Sequence, residues 1–92
     1  MKEKILLRSR AKRLNPIVRI GKNGLNENTV KEIEKILVKR GLIKIKLLKP
    51  SFKPGEKELL IENLVKLTNS QLIDSVGNIV VIYKTSKNSH WQ

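Results

Sequence analysis

Ninety-two residues suit a single domain, and a 39% apolar fraction in separated clusters can supply its core. Twenty Lys and Arg oppose eight Asp and Glu, a net charge of +12, and such a field attracts polyanions and speeds their association. Cysteine is absent, which excludes disulfides, thiolate metal sites and thiol nucleophiles. The excess charge is uneven: up to Gly24, eight bases (Lys2, Lys4, Arg8, Arg10, Lys12, Arg13, Arg19 and Lys22) face only Glu3.

The first predicted element is a helix from Lys2 to Leu14, with Leu7, Ala11 and Leu14 forming an apolar stripe at i, i+4, i+7. Arg8, Arg10, Lys12 and Arg13 lie off that stripe, so one side of the helix is basic. Asn15-Pro16 ends it, because proline disfavours helical geometry in the residue before it. The β-branched run Ile17-Val18-Arg19-Ile20 predicts a short strand, and Gly21-Lys22-Asn23-Gly24 breaks it.

A second helix opens at Asn26, a good N-cap, with Glu27 at the positive end of the helix dipole. Val30, Ile33 and Leu37, with Ile36, form its stripe, and Gly41 stands where helices commonly stop. Leu42 to Leu48 alternates, with Ile43, Ile45 and Leu47 on one face and Lys44 and Lys46 on the other, a strand with one wet, basic face. Residues 49–55 read as loop. A third helix spans Glu56 to Leu67, with Leu60, Leu64 and Leu67 in register beside Ile61 and Val65. Leu72 to Val76 and Ile79 to Lys84 form a hairpin about Gly77-Asn78, and residues 86–92 read as a flexible tail. The expected architecture is α-β-α-β-α-β-β, a two-layer α/β (α+β) domain over residues 1–85 whose mixed four-stranded sheet is backed by helices. Strands separated by helices favour parallel pairing, and the hairpin adds an antiparallel strand.

Catalytic constellations are missing. The lone histidine, His90, lies in the tail, the lone aspartate, Asp74, has no sequence neighbour to work with, and neither metal-ligand spacing nor a Walker loop occurs. No cofactor, small-molecule substrate or membrane partner is expected. The triplet Ile5-Leu6-Leu7, cut by Arg8, is too short for a signal peptide, so the expected compartment is the cytoplasm.

Gly21-Lys22-Asn23-Gly24 is the sharpest candidate. It leaves a strand and enters a helix whose first amides lack intrahelical acceptors, and glycines let a ligand approach the backbone closely. RNA-binding KH domains clamp nucleotide backbones with a GXXG loop; the same four residues also suit an ordinary tight turn. Lys44 and Lys46 either join this basic surface with Arg19 or merely blunt a sheet edge. The four-residue strand after the first helix covers only about 13 Å, so one phosphate backbone is expected to touch both the basic helix and the loop. Phe52, Tyr83 and Trp91 are the only aromatics, too few for a base-stacking platform.

Leu7-Arg8-x-x-Ala11-x-x-Leu14-x-Pro16, Ile17-Val18-Arg19-Ile20-Gly21-Lys22-Asn23-Gly24-Leu25, Val30/Ile33/Leu37 and Leu42-Ile43-Lys44-Ile45 together resemble the CRM domain, the chloroplast-RNA-splicing and ribosome-maturation family with its stand-alone YhbY-type members. Gly77 through Ile82-Tyr83-Lys84 is similar to its closing strand. The resemblance implies a fold like the C-terminal domain of translation initiation factor three. It also implies RNA binding through the glycine loop and adjacent basic surface, with Gly21, Lys22, Asn23, Gly24, Arg8 and Lys44 at matching positions, and a role in intron splicing or large-subunit ribosome assembly. Arg40-Gly41 stands where the family often has His-Glu, and residues 50–71 match weakly. The expected function is recognition of structured RNA, such as a ribosomal RNA precursor, by Gly21–Gly24, Arg8, Arg10, Lys12, Arg13, Arg19, Lys44 and Lys46. The alternatives are a DNA-binding architectural protein and a protein-binding module whose charge serves solubility.

Overall fold

Side chains alternate across a strand, so two neighbouring apolar residues in one strand require cover on both faces of the sheet. Leu42-Ile43 and the run Ile79-Val80-Val81-Ile82 meet that condition, and both faces are covered. The computed structural model describes residues 2–21, 24–48, 53 and 55–84, with side chains from Lys4 onward. Its elements are α1 (Lys2–Ala11), β1 (Val18–Ile20), α2 (Glu27–Arg40), β2 (Leu42–Leu47), α3 (Glu56–Thr68), β3 (Gln71–Val76) and β4 (Ile79–Tyr83). These are the seven elements expected, in the same order. Lys22, Asn23, Phe52, Trp91 and the tail at 86–92 lie outside the described residues.

The four strands form one mixed sheet in the order β1-β2-β4-β3. β1 pairs parallel with β2, as a helical crossover favours. β4 then pairs antiparallel with both β2 and β3. β3 is thus parallel to β2 without being its neighbour, because the apolar β4 takes the central place and leaves β3, with its more exposed residues, at the edge.

One face carries the larger core. Val18, Ile20, Ile43, Ile45, Leu47, Val80 and Ile82 from the strands meet Ile33 and Leu37 of α2 and Ile61 and Leu64 of α3. The opposite face carries a second, smaller core of Leu7 and Ala11 from α1 with Leu42, Ile73 and Val81. α1 therefore forms a partial third layer, where a two-layer arrangement was expected.

Local chemistry explains the element ends. The Leu14 and Arg13 amides bond to the carbonyls three residues back, Ala11 and Arg10, at 3.0 and 3.1 Å, so α1 ends in a tightened turn before Pro16, short of Leu14. Asn26 caps α2, its Oδ1 accepting from the Thr29 amide at 2.9 Å, and Gly41 closes α2 at φ +80°, a conformation that favours glycine. In α3 the helical period buries Ile61, Leu64 and Thr68 and turns Leu67 outward at 55% exposure, contrary to its expected place in the stripe. The buried Thr68 hydroxyl is satisfied by the Leu64 carbonyl at 2.7 Å.

Candidate nucleic-acid interface

The strand residues that point away from the larger core build the candidate surface. Arg19 of β1 is in register with Lys46 of β2, Lys46 with Ile79 of β4, and Ile79 with Val76 of β3. These four form a row across the whole sheet. Arg19, Lys46 and Val76 are exposed and Ile79 half-buried, because α1 packs over the other end of this face, on Leu42, Val81 and Ile73. Lys44 lies one position further toward α1 on the same face and is half-buried. Three cations thus share one stretch of two neighbouring strands, a repulsive arrangement that an anionic ligand would relieve.

The glycine loop borders this row. The Gly24 amide donates to the Gly21 carbonyl at 2.9 Å, closing a four-residue turn, and Leu48 N–H to the Ile20 carbonyl at 2.9 Å carries β1–β2 pairing up to it. Gly24 has φ +65°, where any side chain is strained. Gly24 therefore has a structural role in this turn, whatever else the loop does. Its central residues, Lys22 and Asn23, lie outside the described residues. The Gly77-Asn78 turn is at the same end of the sheet, tied to β2 by the Leu47 amide and to α3 by Lys57, whose ammonium donates to the Gly77 carbonyl.

The bases of α1 lie on the same side of the sheet but disperse. Arg8 turns to the β3 edge, where its Nε donates to the Ile73 carbonyl at 3.3 Å. Ile73 falls at the register shift between Leu72 and Asp74, a bulge that leaves the extra residue out of the ladder. Arg8 thus also anchors α1 to β3. Lys12 and Arg13 are exposed in the turn after α1. Arg13 shares a groove with Leu42 at the start of β2, whereas the glycine loop adjoins Leu48 beyond its end. Five strand residues lie between those levels, a span of roughly 20 Å. One ligand can touch both only by spanning the sheet.

Sequence reading did not single out Val76, 65% exposed, or Ile79. Their period-2 offset within a hairpin is the signal that puts them on the face of Lys44 and Lys46. Among the described residues no group of His, Cys, Asp and Glu could hold a metal ion, and no helix is long and apolar enough to cross a membrane.

Comparison with known proteins adds to this geometry. The sequence profile of the CRS1/YhbY (CRM) domain matches residues 1–84. The Bacillus subtilis protein YqeI, named a probable RNA-binding protein, is 43% identical over 86 residues, covering 94% of this chain and 88% of that protein. A Haemophilus influenzae protein named an RNA-binding protein is 35% identical over 91 residues, 99% of this chain and 90% of its own length. The solution structure of a Staphylococcus aureus protein, described as a candidate RNA-binding protein, superposes with a TM-score of 0.77 at 42% identity, over 92% of this chain and 86% of that one.

Proposed function

The chain belongs to the CRS1/YhbY (CRM) domain family, and from that membership we propose that it is an RNA-binding protein that acts by binding a folded RNA, not by catalysis. The names of its relatives support RNA as the ligand. The observation that carries the reading is the segregation of charge between the two faces of the sheet. α2 and α3 hold six bases and six acids. On the opposite side, Lys4, Arg8, Arg10, Lys12, Arg13, Arg19, Lys44 and Lys46 are opposed, among the described side chains, by Asp74. A polyanion gains by docking on one side only.

Phosphate contacts come from Arg19, Lys44, Lys46 and the bases of α1, with the Gly21–Gly24 loop and its Lys22 and Asn23 at one end of the path. Tyr83 is half-buried against the smaller core, so the sheet offers no row of stacking aromatics among the described residues. Recognition by backbone and shape follows. The finer reading, which rests on the family resemblance, is a ribosomal RNA precursor during large-subunit assembly, bound in the cytoplasm by a single domain over residues 1–85.

Filter-binding titrations of a stem–loop RNA across a salt series test this. Each phosphate contact contributes about 0.7–0.9 to the slope of log affinity against log salt, so several contacts give a steep line, and a flat one rejects the proposal. The stem–loop is expected to outcompete a single-stranded homopolymer and duplex DNA; a preference for duplex DNA would favour an architectural DNA-binding role. Enrichment of ribosomal RNA precursors among RNAs cross-linked in cells tests the finer reading.

A further inference from the structure

Two arginines one turn apart at the end of α1 meet a third from the end of α2, at the end of the molecule opposite the glycine loop. A shallow groove between α1 and the C-terminal end of α2 is lined by Arg10, Arg13 and Arg40 over Leu6, Leu14 and Leu42, and among the described side chains no carboxylate lines it. Its construction follows from the fold. The Arg13 amide bonds to the Arg10 carbonyl at 3.1 Å, which stacks one arginine a turn above the other. Arg40 is the last residue of α2, and the left-handed Gly41 that follows turns the chain directly into β2. Leu42, buried under α1, draws the end of α2 and the end of α1 together. The chain has five arginines and fifteen lysines, yet among the described side chains the three cations of this groove are all arginines. Arginine presents a planar fork that binds a phosphate through two parallel hydrogen bonds, whereas lysine is a point charge. Three guanidinium groups lining one groove repel one another, and an anion placed between them relieves that repulsion.

The geometry points to this groove as a second phosphate subsite, which takes an internal phosphodiester of the RNA backbone while the Arg19/Lys46 row and the glycine loop hold the same RNA at the far end of the sheet. It rests on the RNA-binding reading above. It adds Arg40, one of the two positions where the chain departs from the family's usual His-Glu, and it resolves the basic surface into two sites roughly 13–20 Å apart along β2. The alkyl stems of the arginines and the three leucines supply an apolar floor on which an adjoining sugar can rest.

The test is a salt series with a stem–loop RNA bearing a 5′-hydroxyl, using the full chain and the variants Arg10→Ala, Arg13→Ala, Arg40→Ala, Arg40→Lys and Arg19→Ala, each checked by thermal unfolding. Loss of any one groove arginine is expected to reduce the salt slope by about 0.7–1 and to weaken binding about fivefold at 0.15 M salt. Arg40 also complements the dipole at the end of α2. Arg40→Lys is therefore expected to keep the melting temperature but to recover only part of the affinity, since the fork is gone. Full recovery of affinity by Arg40→Lys would overturn the bidentate site. Unchanged slope and affinity in Arg40→Ala, with Arg19→Ala impaired, would overturn the groove and leave the RNA-binding reading intact. A flat salt dependence of the unmodified chain would overturn both. In a parallel NMR titration the Nε–H signals of the three arginines should move with the RNA and stay in place with equimolar inorganic phosphate. An equal response to inorganic phosphate would mean a free-anion site and reject the backbone subsite.

Discussion

The two faces of the sheet divide the work of the molecule. Beneath α2 and α3, eleven buried residues form one continuous core, and the helices above it are electrically balanced. Beneath α1 only five residues are buried, and the surface around them is strongly basic and open at the Arg19–Lys46–Ile79–Val76 row. A domain of this size has a net stability of only about 5–15 kcal/mol, so concentrated like charge is tolerable where little of the core depends on it. The division teaches that stability and recognition reside on opposite faces, which substitutions can separate.

The largest effect belongs to the larger core. Leu37 is fully buried in α2, and Leu37→Ala is expected to cost about 3–5 kcal/mol in urea denaturation, a substantial share of the total. Leu7→Ala, at the thinner α1 core, is expected at about 2–3 kcal/mol, since surrounding side chains there can collapse into the space. Equal losses would mean that α1 is as integral to folding as α2, and the division would fail.

Charge reversal gives the next largest effect and reads the other face. Lys46→Glu removes one cation and introduces an anion beside Arg19. With about 0.8 lost from the salt slope per unit of charge, affinity for a stem–loop RNA should fall roughly twentyfold at 0.15 M salt. Lys35→Glu, exposed on α2, makes the same change in net charge on the balanced face and should alter affinity by less than about threefold. Comparable losses from both would show that net charge alone, and not its placement, governs binding.

Much of this arrangement was legible in the sequence because it is local. Asn26 and Gly41 marked α2, the alternation from Leu42 to Leu47 placed Lys44 and Lys46 on one face, and the spacing of Gly21 and Gly24 marked a turn. Non-local pairing was less legible. The central place of β4 and the cover on both faces of the sheet were not read from the sequence, which pointed to two layers, although the unbroken run Ile79-Val80-Val81-Ile82 suits a strand covered on both faces. The meeting of Arg40 with Arg10 and Arg13 had no local signal, since it depends on how α1 crosses the sheet. The same holds for Arg8: helical periodicity put it off the apolar stripe, but its partner is a carbonyl 65 residues away.

Arg8 is consequently where the comparison can be sharpened with the smallest effect. Its position in α1 makes it one of the basic candidates for RNA, yet its Nε is engaged by the Ile73 carbonyl of the bulge. A hydrogen bond from a charged donor to a partly buried acceptor is worth about 1–2 kcal/mol net, and its loss leaves the carbonyl to water at this edge strand. Arg8→Ala is therefore expected to lower stability by about 1 kcal/mol and to reduce the RNA salt slope by less than Arg19→Ala does, because part of its guanidinium already faces the protein. Arg8→Lys should restore the slope but not the stability, since a lysine ammonium reaches the bulge without the geometry of the Nε–H. Urea denaturation and filter binding on the same preparations separate the two. A slope loss equal to that of Arg19→Ala, with unchanged stability, would return Arg8 to the recognition surface alone and remove the tether that holds α1 over β3.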